Sequence, residues 1–395
     1  MDKIAVIGQG YVGLPLACSL VEAGLEVYGI DNNKKIVNQV KSGISHIEDV
    51  SDLKLQEICN TSRYSIRSDY KIVSDCSVII ICVPTPLDSK HLPDLRMLKD
   101  SVSQIAPHLK RGSLVILEST SYPGTTRTLI YEEILHLTQF GVDDFDCAFS
   151  PERIDPLNPR WSIRNTPKLV SGVNVNSTKR ARKFYEAFVD TVIEVRSPEI
   201  AEFAKLIENT YRLINISFVN EMMELCEAAG LPINEILDAA GTKPYGFNVF
   251  RPGLGAGGHC IPVDSVYLNS YSETLGYQPK LLMESISINR RIPSFHASKI
   301  FELVGSRNPE NIKILIVGVA YKSGVSDTRE SPALQLVELL KGRGLTVNWV
   351  DSKVTELDLA EKHEVGNRYD IVVINHLGQI DTLDFLNSNG QIYEI

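Results

Sequence analysis

The 395-residue sequence predicts an α/β protein in which two doubly wound sheets are joined by a mostly helical middle built on one long helix. Three observations predict this. Short apolar runs alternate with helical patterns along residues 1–196, and again along 305–395, as units of strand, helix and parallel strand require. Between them, 197–304 repeats apolar residues at three- and four-residue spacing, the period of a helix. The chain is also too long for one ordinary domain, so two or three are expected.

In the first region, residues 3–7 (K-I-A-V-I) are a short buried-strand run. Gly8, Gly10 and Gly13 then frame Gln9, Tyr11 and Val12 as G-x-G-x-x-G, Leu14 to Ala23 reads as a helix, and Glu26 to Ile30 is a strand ending at Asp31. Such glycines permit a tight turn, close approach to a pyrophosphate and helix-on-strand packing, with the helix N-terminus facing the phosphates. Asp31 is placed for the hydroxyls of an adenosine ribose. The glycine fingerprint alone is weak, but strand, turn, helix, strand and acid in order make a Rossmann-like dinucleotide site. Asn32 and Asn33 stand where a 2′-phosphate reader would want arginine, which favours NAD over NADP. Gly8, Gly10, Tyr11, Val12, Gly13 and Asp31 are therefore the expected cofactor contacts.

Further strands are expected at Ser77–Val83, Leu114–Leu117, Asp146–Phe149, Leu169–Gly172 and Thr191–Val195. Ligands of such sheets sit off the carboxyl ends of strands. Thr85 in P-T-P and Thr120 in E-S-T are candidate cofactor or site contacts there; strand-end capping is the other role open to them. The loop Ser150-Pro151-Glu152-Arg153 brings a carboxylate to the same rim.

The middle opens with one helix from Pro198 to Ala229, apolar at Phe203, Leu206, Ile207, Ile214, Phe218, Met222 and Leu225. Ser197 suits its N-cap, and Gly230 and Pro232 end it. Its stripe fits a dimerisation surface or monomer core. Lys205 and Asn209, four residues apart, project from one face, as a solvated polar pair or as part of a site. Helical patterns follow at Ile233–Ala240 and Leu281–Val304. Between them lies Phe250 to Asp264, F-R-P-G-L-G-A-G-G-H-C-I-P-V-D, with Gly253, Gly255, Gly257 and Gly258 leading to Cys260. So much glycine disfavours helix and strand. The stretch can wrap closely round a ligand, with Cys260 its one strong nucleophile, or be a surface turn with an incidental cysteine.

In the last region, Ile312 to Gly318 is a strand, and Ser331 with Pro332 signals a capped helix running to Gly342. Strands at Leu345–Val350 and Ile371–Ile374 complete the unit. Lys322 and Arg329 suit a phosphate or ribose, or are surface charges.

Composition narrows the function. With 43% hydrophobic and 23% charged residues, the chain has the make-up of a soluble globular protein. A formal charge of −9 without a basic block argues against nucleic acid, so an anionic ligand needs local groups. The densest apolar run, Val78 to Val83, is too short for a membrane span. The start runs straight into a strand without a signal-peptide pattern, and the seven scattered cysteines include no Cys-x-x-Cys. Reduced thiols in a cytoplasm, and no metal site, are the expectation.

Along its whole length the chain resembles the nucleotide-sugar 6-dehydrogenases of the UDP-glucose/GDP-mannose dehydrogenase family. The resemblance is carried by G-Q-G-Y-V-G-L-P-L-A at 8–17, S-P-E-R at 150–153 and E-F-A-K-L-I-E-N-T-Y-R at 202–212. G-A-G-G-H-C-I-P-V-D at 255–264 and G-V-A-Y-K with D-T-R-E-S-P-A within 318–333 complete it. It implies an NAD-binding domain at 1–196, a central dimerisation domain at 197–304 and a UDP-sugar-binding domain at 305–395. T-K-P-Y-G-F at 242–247 and S-P-E-R-I-D-P at 150–156 look most like the enzymes that oxidise UDP-N-acetylglucosamine. The N-acetylmannosamine, N-acetylgalactosamine and glucose analogues, or a two-electron hydroxyacid-type oxidation, are the alternatives. Arg251 departs from the aromatic residue common in that subgroup, and Ser265 from a common proline.

The implied reaction is a four-electron oxidation of a C6 alcohol to a carboxylate with two NAD, passing through a thiohemiacetal and a thioester on Cys260. The resemblance gives Lys205 and Asn209 the oxyanion, Asp264 the support of the lysine and a water, and Glu152 and Thr120 the hydrolytic step. It gives Arg153, Phe250, Gly253, Gly257, Lys322 and Arg329, together with Glu152, Lys205 and Asn209, to substrate binding. It also implies a cytoplasmic homodimer serving surface-polysaccharide precursors.

Overall fold

The computed structural model describes residues 3–155, 157–377 and 383–395. The chain divides into two compact units, Met1–Ile207 and Glu208–Ile395. In the first, strands β1 (Lys3–Ile7), β2 (Glu26–Ile30), β3 (Tyr64–Arg67), β4 (Val78–Ile81), β5 (Leu114–Leu117), β6 (Asp146–Phe149), β7 (Lys168–Gly172) and β8 (Val192–Glu194) form one sheet. Its order is β3-β2-β1-β4-β5-β6-β7-β8, parallel except where β7 runs against β6. β4 reads V-I-I-I with every residue buried, the continuous pattern of a strand covered on both faces. The chain order reverses between β1 and β4, where a doubly wound sheet opens its ligand crevice.

The second unit holds helices Ile233–Gly241, Ile261–Thr274, Lys280–Val304 and Pro332–Lys341. Strands β9 (Lys313–Val317), β10 (Thr346–Val350), β11 (Glu361–Lys362), β12 (Tyr369–Ile374) and β13 (Leu386–Glu394) form its sheet, ordered β11-β10-β9-β12-β13 and parallel throughout. Its order reverses between β9 and β12. The long helix Pro198–Ala229 crosses the division between the units.

Predicted strand ends differ from the observed ones by at most two residues, but the structure departs from the sequence reading in four ways. β3, β11 and β13 are additional edge strands; β3, Y-S-I-R, buries only Tyr64 and Ile66, too short an alternation to stand out. A helix starts directly behind the glycine stretch at Ile261, so the loop ends at Cys260 rather than Asp264. Ser331 holds the N-cap position, yet its hydroxyl donates to the Val319 carbonyl at 2.8 Å and does not cap the helix. The stripe of the long helix also divides. Leu206, with Leu213 and Val219, is buried, whereas Phe203, Ile207, Tyr211, Phe218 and Leu225 are exposed along one face.

Candidate active site

The sequence-selected residues fall in both units. In the first, β1 delivers the chain to Gly8, whose φ of +83° only glycine adopts without strain. A Cβ on Gly8 would lie 2.6 Å from the Cys82 carbonyl oxygen, and one on Gly13 1.8 Å from the Gly8 oxygen. Gly10 is the opposite case, with nothing within 4 Å of where its Cβ would be. Two glycines thus close the turn and the third keeps a space that a pyrophosphate can enter.

Gln9 ties this turn to its surroundings, a role the sequence reading misses. Its amide Nε2 donates to the Val6 carbonyl at 2.8 Å, its Oε1 accepts from the Tyr64 hydroxyl at 2.7 Å, and its backbone N–H donates to Asp31 Oδ2 at 2.9 Å. Asp31 Oδ1 accepts from the Asn33 N–H at 2.8 Å. The carboxylate is held at the end of β2, with lone pairs over for ribose hydroxyls. Tyr11 and Val12 follow, half-buried, at the helix start. An open glycine, a fixed acid and a helix N-terminus fit a dinucleotide.

On the rim, Thr85 Oγ1 donates to the Thr120 carbonyl at 2.7 Å, and Ser119 Oγ to the Val83 carbonyl at 2.7 Å, cross-linking the ends of β4 and β5. Glu152 bends back on its own loop: its Oε1 accepts from the N–H groups of Arg153 and Ile154, both at 2.6 Å. The Arg153 guanidinium donates to the Pro167 carbonyl at 2.8 Å. Next to it the buried Lys168 bonds Glu118 at 2.7 Å and lies 3.8 Å from Glu152 Oε2. On the long helix, Lys205 is 8% exposed and makes no ion pair among the described residues. Three residues before it, Glu202 accepts from the N–H of Gly124 (2.6 Å) and from the N–H and hydroxyl of Thr126 (2.8 and 2.6 Å). Burial outweighs those bonds and lifts Glu202 to about 7.

In the second unit, Cys260 is the N-cap of helix Ile261–Thr274, and Asp264 lies one turn on, its N–H donating to the Cys260 carbonyl at 2.8 Å. The four-residue spacing of C-I-P-V-D is thus a helical turn, with an acid where the dipole favours negative charge. Asn209 Nδ2 donates to Asp264 Oδ2 at 2.5 Å, which brings together two residues 55 apart in sequence.

The glycine stretch is held by side chains that the sequence reading leaves out. Asn220 Oδ1 accepts from the Gly253 N–H at 2.9 Å. Asn289 bonds both backbone groups of Ala256, at 2.7 and 3.0 Å. The Gly258 N–H donates to the Arg329 carbonyl at 3.1 Å. A Cβ on Gly257 would sit 2.7 Å from the Glu330 carbonyl oxygen, so this glycine serves close packing against the loop after β9. Phe250 and Lys322 are half-buried.

Arg329 turns its guanidinium onto Asp327, at 2.9 and 2.6 Å, while His259 Nδ1 lies 3.1 Å from Arg329 Nη2 and 3.4 Å from Asp327 Oδ2. Burial works against charge on His259, but Asp327 and Cys260 outweigh it and raise the imidazole to about 9. Burial likewise opposes ionisation of Asp327, yet His259 and Arg329 hold its carboxyl well below the usual range. Arg251, unexplained by the sequence, pairs with Asp238 of helix Ile233–Gly241 and donates to the Asn234 carbonyl at 3.2 Å.

Sequence models of the NAD binding, central and UDP binding domains of one family match residues 2–189, 199–291 and 315–386 in turn. The chain belongs to the UDP-glucose/GDP-mannose dehydrogenase family. It is an NAD-dependent nucleotide-sugar dehydrogenase, and the turn from Gly8 to Asp31 lies within the residues matched by the NAD binding domain. The UDP binding domain makes a UDP-sugar its substrate class. It is 35% identical to the UDP-N-acetyl-D-mannosamine dehydrogenase of Pyrococcus horikoshii, over 89% of this chain and 84% of that one. It is 33% identical to the UDP-N-acetyl-D-glucosamine 6-dehydrogenase of Pseudomonas aeruginosa, over 92% and 85%. Among solved structures, a UDP-D-ManNAc dehydrogenase from Pyrococcus horikoshii superposes with a TM-score of 0.87 at 33% identity, covering 94% of this chain and 88% of that one.

Among the described residues, no group of three or more His, Cys, Asp or Glu could hold a metal, and no helix is long and apolar enough to cross a membrane.

Proposed function

We propose that the chain oxidises the C6 hydroxyl of a UDP-N-acetylhexosamine to the carboxylate in two two-electron steps, through a covalent adduct on Cys260. The observation that carries this reading is the grouping of Cys260, Asp264 and Asn209. A single oxidation of an alcohol to a carbonyl needs no thiol nucleophile. Oxidation beyond the aldehyde needs a nucleophile, because an aldehyde must become tetrahedral before it can give up a second hydride, and a thiolate is a strong one.

Bound NAD supplies the hydride acceptor for each step, held by Gly8, Gly10, Tyr11, Val12, Gly13, Asp31, Thr85 and Thr120. The Cys260 thiolate adds to the C6 aldehyde, and a C–S bond forms as the carbonyl oxygen becomes an oxyanion. Lys205 and Asn209 are the donors for that oxyanion, worth on the order of a hundredfold each in rate. Asp264, bonded to Asn209, fixes the amide's direction and supports the lysine and an ordered water. At the thioester stage Thr120 positions water and Glu152 takes its proton. Arg153, Phe250, Gly253 and Gly257 serve the sugar, and Lys322 and Arg329 the UDP end. The exposed stripe Phe203, Ile207, Tyr211, Phe218 and Leu225 supports a homodimer. A cytoplasmic role in supplying surface-polysaccharide precursors completes the reading.

The motifs T-K-P-Y-G-F and S-P-E-R-I-D-P favour an N-acetylated sugar, and the names of the relatives divide between its gluco and manno epimers. A panel of UDP-N-acetylglucosamine, UDP-N-acetylmannosamine, UDP-N-acetylgalactosamine and UDP-glucose with NAD, read by absorbance, tests the proposal. One of the first two is expected to turn over fastest and to yield two NADH per sugar. One NADH per sugar, or no turnover on any of the four, overturns it.

A further inference from the structure

We infer that Lys168 is a positioning residue for the hydrolytic half of the reaction and works through Glu152. This rests on the reading above, in which Glu152 takes a proton from the attacking water. Its ground is a buried ionic cluster to which that reading gives no task. Lys168 starts β7 and Glu118 follows β5, with β6 lying between the two strands. Lys168 Nζ donates to Glu118 Oε2 at 2.7 Å and the Tyr185 hydroxyl donates to Glu118 Oε1 at 2.5 Å, so both carboxylate oxygens are engaged. Glu118 is 1% exposed, Lys168 6% and Tyr185 fully buried.

The ammonium has protons left over, and Glu152 Oε2 lies 3.8 Å from it. Since Glu152 Oε1 is taken by two backbone N–H groups, Oε2 is the oxygen available to a water, and Lys168 fixes where it points. The titratable groups set round Lys168 are Glu118, Glu152, Tyr185 and Cys82 beyond the end of β4. Burial alone would push the Lys168 ammonium toward neutrality, but Glu118 and Glu152 outweigh it and keep the charge. An apolar trio would fill this space with less desolvation. What the ion pair adds is a fixed cation against the one usable oxygen of Glu152.

In the step served, the water oxygen bonds to the C6 carbonyl carbon of the thioester and one water proton passes to Glu152. The C–S bond then breaks, its electron pair leaves with Cys260 as thiolate, and the acid formed ionises. Electrons and atoms balance without any further reagent.

The test uses the full chain, NAD and whichever UDP-N-acetylhexosamine the panel selects. Lys168→Met combined with Glu118→Gln removes cation and anion together, so neither charge is left buried alone; Lys168→Arg is the conservative partner. The double variant is expected to keep NADH binding and its first burst of NADH. Its steady-state rate should fall about a hundredfold, the scale of one lost general-base contribution. Mass spectrometry of the quenched protein should then find the sugar acyl adduct on Cys260, as in Glu152→Gln, with Lys168→Arg recovering most of the rate. Wild-type turnover without adduct in the double variant overturns the inference, as does an equal fall of burst and steady state, which would mark a merely structural role. A double variant that fails to fold while Lys168→Arg folds but stays slow without adduct overturns it too. If Glu152→Gln itself shows no adduct, the reading of Glu152 falls first and the inference with it.

Discussion

Two glycine-rich loops serve this chain, and they are built on opposite plans. In the loop from Gly8 to Gly13 the glycines answer to nearby backbone: a Cβ on Gly13 would strike the oxygen of Gly8, five residues earlier in the same turn. The loop from Gly253 to Gly258 answers to distant side chains and to a second loop, through Asn220, Asn289 and the backbone of Arg329 and Glu330. The first has a helix behind it and an open position at Gly10, the form suited to receiving a phosphate group. The second also runs into a helix, but Cys260 stands at the junction, where the proposed reaction needs its nucleophile. A loop with an open position can admit a ligand; a loop clamped from three sides can hold a reacting atom in place.

Cys260→Ser should break this contrast most sharply. The rate of acid formation is expected to fall on the order of 10⁴-fold or more, the scale of losing a covalent nucleophile. The thermal midpoint and NADH binding should stay close to wild type. Quantifying product acid and NADH together checks it, since acid formed at the normal rate would remove the covalent route.

Alanine at one glycine of each loop separates binding from clamping. Gly10→Ala puts a methyl group into open space, so stability should hold within about 0.5 kcal/mol. NAD affinity should nevertheless weaken tenfold or more, about 1.4 kcal/mol, because the pyrophosphate loses its close approach. Gly257→Ala should do the reverse, costing about 1–3 kcal/mol of stability through overpacking against Glu330 and Pro332. Its NAD affinity should be unchanged. Denaturant unfolding and NADH titration on both variants distinguish the two plans; the same profile in both would erase the difference.

The two loops were also unequally legible. Strand, turn, helix and Asp31 fit within the first 31 residues, so spacing alone exposes the geometry of this turn. The Tyr64 hydroxyl on Gln9, a contact that spans 55 residues, and the Cys82 carbonyl against Gly8 escape it, because both come from far along the chain. The second loop can be read as glycines before a cysteine, but Asn220 and Asn289 look like ordinary polar positions of two helices, 33 residues to either side of the backbone they hold. Helix Ile261–Thr274 is masked by the loop itself, since Pro262 follows so much glycine that the pattern reads as continued turn. Lys168 and Glu118 are hidden for a third reason: a charged residue at the end of an apolar strand looks like an exposed one until its partner, 50 residues away, is known.

A smaller effect belongs to the second loop alone. His259 is raised from 6.5 to about 9 by Asp327 and Cys260 against the opposition of burial. The folded state therefore binds this proton more tightly than the unfolded chain does. Its contribution to stability is complete below about pH 6.5 and disappears as the pH rises through about 9. Unfolding midpoints of wild type and His259→Gln should differ most at the acid end of that window and converge at its alkaline end. A constant difference across the window would sever the clamp formed by Asp327, His259 and Arg329 from its charge.

The smallest effect is expected where the second loop begins. Arg251 bonds Asp238 and the Asn234 carbonyl, but both charged side chains are about half exposed or more, at 49% and 65%. Water screens such a pair, and exposed ion pairs contribute roughly 0–1 kcal/mol. Arg251→Ala should therefore lower stability by no more than that, and Asp238→Ala by a similar amount. The double variant should lose less than the sum, since each single change already breaks the contact. If Arg251→Ala alone raised KM for the UDP-sugar while Asp238→Ala did not, the arginine would belong to the substrate and its place on helix Ile233–Gly241 would be a resting position.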